Sequence, residues 1–342
     1  MFSVKNITLE KPGHFVYGES LVHTKLQPGE ALVRVKAIGI CGTDYHAFNG
    51  RQPFFSYPRI LGHELGIEVA AIAEGESRLR VGDKCAVEPY LYCGSCQPCR
   101  MGKTNCCENL KVLGVNTHGG MQELMTIPAK FLHPSSKLQF TQLALVETLG
   151  IGYHAVQRSG LNANDQVLVI GAGPIGLSAL EFARQAEKTV VMDFDVARNR
   201  FCVENNYASL AITPEGDALS NIRQAFDGQL PTIVFDATGN PASMQAAFHY
   251  CAHGGKLVFV GLYPGEISFS DPEFHRRELT LLATRNSRSA DFGAIIQSME
   301  MGQINTGNWI THQLDFSDFI PQFTQLLTES KSLIKAIVRT EP

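Results

Sequence analysis

Val167-Leu168-Val169-Ile170-Gly171-Ala172-Gly173-Pro174-Ile175-Gly176 sets a run of four apolar residues directly before a GxGxxG pattern. A continuous apolar run of this length reads as a strand buried on both faces, the kind found in a parallel sheet. Gly171 allows the tight turn out of the strand, Gly173 lets the backbone approach a pyrophosphate, and Gly176 lets the next helix pack close. Pro174 and Ile175 open that helix, whose N-terminal amides favour phosphate charge. Seventeen residues past Gly176 stands Asp193. A carboxylate there suits the adenosine ribose hydroxyls and repels a 2′-phosphate, so NAD is the expected cofactor. Arg198 keeps NADP as the lesser alternative.

Working outward, residues 189–193, 232–239, 256–261 and 279–283 repeat the apolar run, separated by helical stretches. That alternation predicts a doubly wound α/β unit. Thr238 and Gly239, and Val260 with Gly261, fall at strand C-terminal ends, where such a sheet meets its ligand. Residues 1 to about 150 read instead as β-rich, with strands at 31–38 and 65–72 broken by Pro28-Gly29, Gly42 and Val81-Gly82-Asp83. A helix near 291–301 and a closing strand at 334–338 are expected after the α/β part.

A chain of 342 residues predicts about two domains. With 44% hydrophobic and 18% charged residues it is globular and not disordered, and a net charge of -4 gives no footprint for nucleic acid or an anionic membrane. The first residues lack a basic stretch followed by an apolar one, and no run is long enough to span a bilayer, so a cytoplasmic location is expected.

Five of nine cysteines, Cys93, Cys96, Cys99, Cys106 and Cys107, fall within fifteen residues. In a cytosolic chain such clustering points to metal before disulfide. Cys93, Cys96, Cys99 and Cys107 supply four thiolates that can close around one tetrahedral zinc ion, which makes a structural site. An iron–sulfur run would place its fourth cysteine after three residues and before a proline; here the gap is seven and Glu108 follows. Cys106 competes for the fourth position.

Three further pieces carry thiol, imidazole and carboxylate groups: Cys41-Gly42-Thr43-Asp44-Tyr45-His46, Gly62-His63-Glu64, and Glu147 ahead of Gly150-Ile151-Gly152-Tyr153-His154-Ala155. Singly, each fits an ordinary fold position. In this order, followed by the cysteine run, GAGPIG and Asp236-Ala237-Thr238-Gly239-Asn240, they resemble the zinc-dependent medium-chain alcohol dehydrogenase family, in its sorbitol, threonine and sugar-acid dehydrogenase branch. The resemblance covers nearly the whole chain, since Ala283-Thr284-Arg285-Asn286, Ile310-Thr311-His312 and Ile334-Lys335 also match stretches of polyol dehydrogenases.

That resemblance implies a GroES-like β-barrel catalytic domain formed by residues 1–150 and 286–342, with a cysteine lobe at about 88–112. A Rossmann NAD-binding domain, 151–285, would be inserted in it, with the active site in the cleft between them. It also implies two zinc ions per subunit and a homodimer or homotetramer acting on a small-molecule alcohol or polyol. Cys41 and His63 match the first two ligands of a catalytic zinc. The third would be Glu64 or Glu147, the latter standing where simple alcohol dehydrogenases carry a cysteine. The implied reaction moves a hydride from a secondary alcohol to the nicotinamide, and Thr43 and His46 match a proton relay. Asp44 matches a carboxylate orienting His63, Arg285 a substrate-facing residue, and Lys335 a cation near the cofactor pyrophosphate. The outer cleft would draw on Tyr45, Phe54, Phe55, Tyr90, His118 and Arg285. Two readings compete: a zinc-free quinone or enone reductase, which needs none of these ligands, and an inactive NAD-binding regulator, which would bind the cofactor without turnover.

Overall fold

A computed structural model describes residues 2–23, 25–52, 55–328 and 333–340. It divides into two compact units, residues 1–147 with 287–342, and residues 148–286.

The inner unit is built on six parallel strands in the order Leu210–Ile212, Lys188–Met192, Gln166–Ile170, Ile233–Asp236, Lys256–Phe259 and Thr280–Ala283. The order reverses between Gln166–Ile170 and Ile233–Asp236, the crevice position where a doubly wound sheet takes its ligand. Val167, Leu168 and Val169 are fully buried, as a strand covered on both faces must be. Helix Pro174–Ala183 follows the glycine turn. Gly171 has φ of +96°, a conformation that only glycine adopts freely. At Gly176 a Cβ would stand 1.7 Å from the Gly171 carbonyl oxygen, so only glycine lets helix and strand approach this closely.

Predicted strand ends overshoot where side chains stop the ladder. The run at 232–239 forms a strand only over Ile233–Asp236. There the Asp236 carboxylate accepts hydrogen bonds from the Thr238 amide (2.9 Å) and hydroxyl (2.6 Å) and from the Ser243 hydroxyl (2.6 Å), turning the chain into the next helix.

In the other unit the strand Glu30–Gly39 is central, pairing antiparallel with Glu64–Ile72, Leu124–Pro128 and the late strand Lys335–Arg339. Ile337 lies opposite Gly39 and Val338 opposite Ile38, so the C-terminal segment is hydrogen-bonded into the N-terminal sheet. The strand Ile310–Asp315, which lies outside the predicted elements, pairs parallel to Lys335–Arg339. Its sequence Ile-Thr-His-Gln-Leu-Asp carries only two apolar residues, too few for a pattern-based assignment. Beneath the sheet, Phe15, Phe319 and Phe323 pack edge to face at 5.2 Å. Glu147 sits on the 20-residue helix Phe140–Ser159, in its interior and not at its start.

Gly176→Ala should lower the urea midpoint, by about 1–3 kcal/mol of stability, because backbone must move to admit the methyl group. Gly293→Ala is the control. On the exposed face of helix Ser289–Glu300, with nothing within 4 Å of its Cβ position, it should be neutral or stabilising by up to about 1 kcal/mol.

Candidate active site and metal-binding clusters

Cys93, Cys96, Cys99 and Cys107 place their sulfurs within 4.8 Å of one another. Cys107 Sγ is 3.5 Å from Cys93 Sγ and 3.8 Å from Cys96 Sγ. A tetrahedron of sulfurs around zinc with bonds of about 2.3 Å has edges of about 3.8 Å, whereas a disulfide needs about 2.05 Å. The Ser95 amide (3.5 Å), the Ser95 hydroxyl (3.6 Å) and the Cys96 amide (3.4 Å) all donate to Cys93 Sγ. They hold its thiol down at about 5, which favours the metal-binding thiolate. The donor set fits a closed zinc site, and Cys106 lies outside the group of four.

The second cluster brings Cys41, His63 and Glu64 within 4.8 Å. Cys41 stands at the N-terminus of the short helix Gly42–Phe48, where Asp44 Oδ2 accepts its amide at 2.8 Å. Asp44 therefore orients the Cys41 backbone. His63 Nδ1 is buried without a partner among the described residues, so Asp44 acts on the ring through its charge and not through a bond to that nitrogen. Gly62, with φ of +94°, turns the chain to present His63, and Glu64 opens the next strand opposite Gly39. A Cβ at Gly39 would stand 1.9 Å from Glu64 Oε2, so glycine there makes room for the carboxylate.

Lys335, matched by the resemblance to a cation near the cofactor pyrophosphate, makes an ion pair inside its own unit. It is 1% exposed, and its Nζ lies 2.5 Å from the Glu64 carboxylate. The reason is its position as the first residue of a central strand, whose inward side chain meets Glu64 and not solvent.

Glu147 lies outside the Cys41–His63–Glu64 group. Its Oε1 accepts a hydrogen bond from Tyr90. Tyr90 was expected to line an outer cleft, yet it is 2% exposed, because its phenol has a buried carboxylate to bond.

The site carries an excess of buried negative charge. Burial raises Asp44 and Glu147 above the usual carboxylate range. Burial alone would lower His63, but the nearby charges of Cys41, Asp44 and Glu147 outweigh it and hold the ring well above its ordinary value. Lys335 behaves alike: burial would lower it, and Glu64, Cys41 and Glu147 raise it. Thiol, imidazole and carboxylate converging under such a field, with one ring nitrogen left open, fit a divalent cation.

Thr43 is half-buried and His46 exposed on the helix that follows Cys41, three residues apart and hence on one face. Tyr45 stacks on Phe323 at 5.2 Å, and Phe55 meets Tyr57 at 4.8 Å. His118 Nδ1 accepts the Ile60 amide at 3.1 Å. Phe54 lies outside the described residues. Arg285 is exposed just after the strand Thr280–Ala283, in the unit 148–286.

In that unit Gly173 caps helix Pro174–Ala183 without a side-chain bond, which leaves the first amides available. A Cβ at Gly173 would meet only Arg198 Nη1, at 3.8 Å, so the backbone is open to a phosphate. Asp193 Oδ2 accepts the Ala172 amide at 2.6 Å, which ties the carboxylate to the glycine turn. Arg198 Nε lies 3.8 Å from Asp195. Gly239 and Gly261 approach so closely that a Cβ on Gly261 would stand 2.2 Å from the Gly239 nitrogen. That brings the loops holding Thr238 and Val260 together at the ends of their strands.

Residues 27–137 match the alcohol dehydrogenase GroES-like domain, and residues 174–300 match the zinc-binding dehydrogenase domain. The chain is 39% identical to the L-galactonate-5-dehydrogenase of Escherichia coli, over 90% of this chain and 91% of that protein. It is 34% identical to the D-altritol 5-dehydrogenase of Agrobacterium fabrum, over 88% and 89%. Its fold superposes with a TM-score of 0.91 on a short chain alcohol dehydrogenase (rspB) from Escherichia coli complexed with cofactor NADH, at 30% identity over 98% of this chain and 99% of that one.

Lys335→Met should lower stability by about 3–5 kcal/mol, because it leaves the Glu64 carboxylate buried and unpaired. Urea unfolding measures this. A cofactor-facing lysine would instead leave the midpoint in place and weaken NAD binding.

Proposed function

The chain belongs to the zinc-binding alcohol dehydrogenase family and is a dehydrogenase, and from that premise we propose that it oxidises a secondary alcohol of a polyol or sugar acid with NAD. The observation that carries this reading is the pair of buried carboxylates, Glu64 and Glu147, set beside Cys41 and His63. Sugar-acid and polyol dehydrogenases among the relatives support the substrate class.

Cys41, His63 and Glu64 would hold a catalytic zinc, and Cys93, Cys96, Cys99 and Cys107 a structural one. A zinc ion bound at the first site supplies Lewis acidity that lowers the pKa of a substrate hydroxyl. The overall reaction turns alcohol and NAD into ketone, NADH and a proton. Thr43, whose hydroxyl both accepts and donates, would take that proton inward of the surface, and His46 would pass it to water. Glu147, kept outside the three-residue group, would serve the substrate side of the site, and Arg285 would bind a substrate hydroxyl pair or carboxylate.

Gly171, Gly173 and Gly176 with the backbone amide of Ile175 at the helix start would seat the pyrophosphate, for which Pro174 has no N–H to offer, with Thr238, Val260 and Gly261 beside it. Asp193 favours NAD, although its neighbour Arg198 offers a cation to a 2′-phosphate. A homodimer is supported by the edge position of the strand Thr280–Ala283, with Leu281 37% exposed, and by Leu262 at 68%. None of the nine cysteines is in a disulfide, consistent with a reducing, cytoplasmic setting. No helix among the described residues is long and apolar enough to cross a membrane.

NAD reduction across a panel of polyols, aldonates and L-threonine tests the substrate class. Activity on a polyol or aldonate is expected, and inactivity throughout counts against the reading. Zinc analysis should find two ions per chain, one fewer in Cys96→Ser with reduced stability, and lost turnover in a folded Cys41→Ser. Asp193→Ala should weaken NAD binding about tenfold, roughly 1.4 kcal/mol, and narrow the gap to NADP.

A further inference from the structure

Glu147 has a neighbour that the scheme above does not use. The Tyr90 phenol donates to Glu147 Oε1, and both side chains are buried, at 2% and 5% exposure. A buried hydroxyl left unpaired is costly, so the bond to Glu147 gives the phenol a reason to point there. It also occupies one of the two carboxylate oxygens.

Tyr90 is itself held from three sides. It opens the two-residue strand Tyr90–Leu91, paired with Lys111–Val112 in the register Tyr90 to Val112. That pair closes the foot of the cysteine lobe, three residues before Cys93. The ring meets Phe292 edge-on at 6.5 Å, and Phe292 stacks on His133 at 4.9 Å. Two residues before Tyr90, the fully buried Glu88 accepts from the Ser289 hydroxyl at 2.5 Å and lies 3.2 Å from His133 Nε2. Ser289 and Phe292 share the helix Ser289–Glu300. The backbone pairing, the aromatic contact and the Glu88 anchor hold Tyr90 in place with its phenol on Glu147.

We propose that Tyr90 is a positioning residue for the active site, clamped at the foot of the cysteine lobe and holding one oxygen of Glu147 so that only the other serves the site. This rests on the reading of Glu147 as a site residue. It adds that the metal lobe and the catalytic carboxylate are mechanically joined through one side chain.

A double-mutant cycle tests it with Tyr90→Phe, Glu147→Ala and the pair. The readouts are kcat, KM for alcohol and for NAD, and the rate at which a chelator strips zinc, followed with a coloured indicator. The catalytic phase of that release is identified as the one absent from Cys41→Ser. Tyr90→Phe should melt near wild type, lower kcat about tenfold or more, speed the catalytic-zinc phase by a similar factor and leave KM for NAD unchanged. In the Glu147→Ala background it should change neither readout further. Equal effects of Tyr90→Phe in both backgrounds, wild-type behaviour on both readouts, or a variant that does not fold would each overturn the proposal. Glu147→Ala at wild-type values on both readouts would defeat the reading of Glu147 itself, and the role of Tyr90 with it. A strong Glu147→Ala with an uncoupled Tyr90→Phe would defeat the role of Tyr90 alone.

Discussion

An ammonium group from the last strand, Lys335, neutralises the Glu64 carboxylate from a strand 271 residues earlier, and both are buried. Burying either charge alone would be costly, because taking an ion out of water costs several kcal/mol unless a partner and good geometry offset it. The pairing requires the C-terminal strand to lie beside the N-terminal one, and the register Ile337 to Gly39 provides that. It also requires Gly39, since any side chain there would occupy the place of the Glu64 carboxylate. Sheet pairing, the position of Glu64 and the grouping of Cys41, His63 and Glu64 thus depend on one another. This explains why a domain interrupted by an inserted unit still closes on its own two ends.

The same constraint sets the electrostatics of the site. With one lysine against Cys41, Asp44, Glu64 and Glu147, the interior holds more acid than base. His63 is drawn toward its charged form by these neighbours against the pull of burial. Such a bias would favour a bound cation, in line with the proposed metal site. Tyr90 and Lys335 each hold one carboxylate, Glu147 and Glu64, so the two acids are fixed by different partners, one neutral and one charged.

Much of this was legible in sequence because local rules apply there. The run at 167–176 has a period, a turn and a helix start within ten residues, and the four cysteines of the lobe fall within fifteen. Boundaries at 232–239 were not legible, because the side chain of Asp236 ends the strand by a bond that apolar pattern does not encode. The strand Ile310–Asp315 escaped because its alignment comes from backbone pairing with Lys335–Arg339, with little apolar signal of its own. The partners of Lys335 and Tyr90 were not legible for a common reason. Each is tied to a partner far along the chain, Glu64 or Glu147, and no local pattern in the sequence sets either side chain against that partner. A buried Lys beside a strand start at Ile334 was the available signal, and it needed the register to be read.

The central claim is that Cys41, His63 and Glu64 form a metal site separate from the four-cysteine lobe. An anomalous-difference map at the zinc edge, from crystals of the purified protein, tests it most directly. The account predicts two peaks per chain, one inside the Cys93–Cys96–Cys99–Cys107 group and one bounded by Cys41, His63 and Glu64. A single peak confined to the cysteine lobe in fully metallated protein would contradict it.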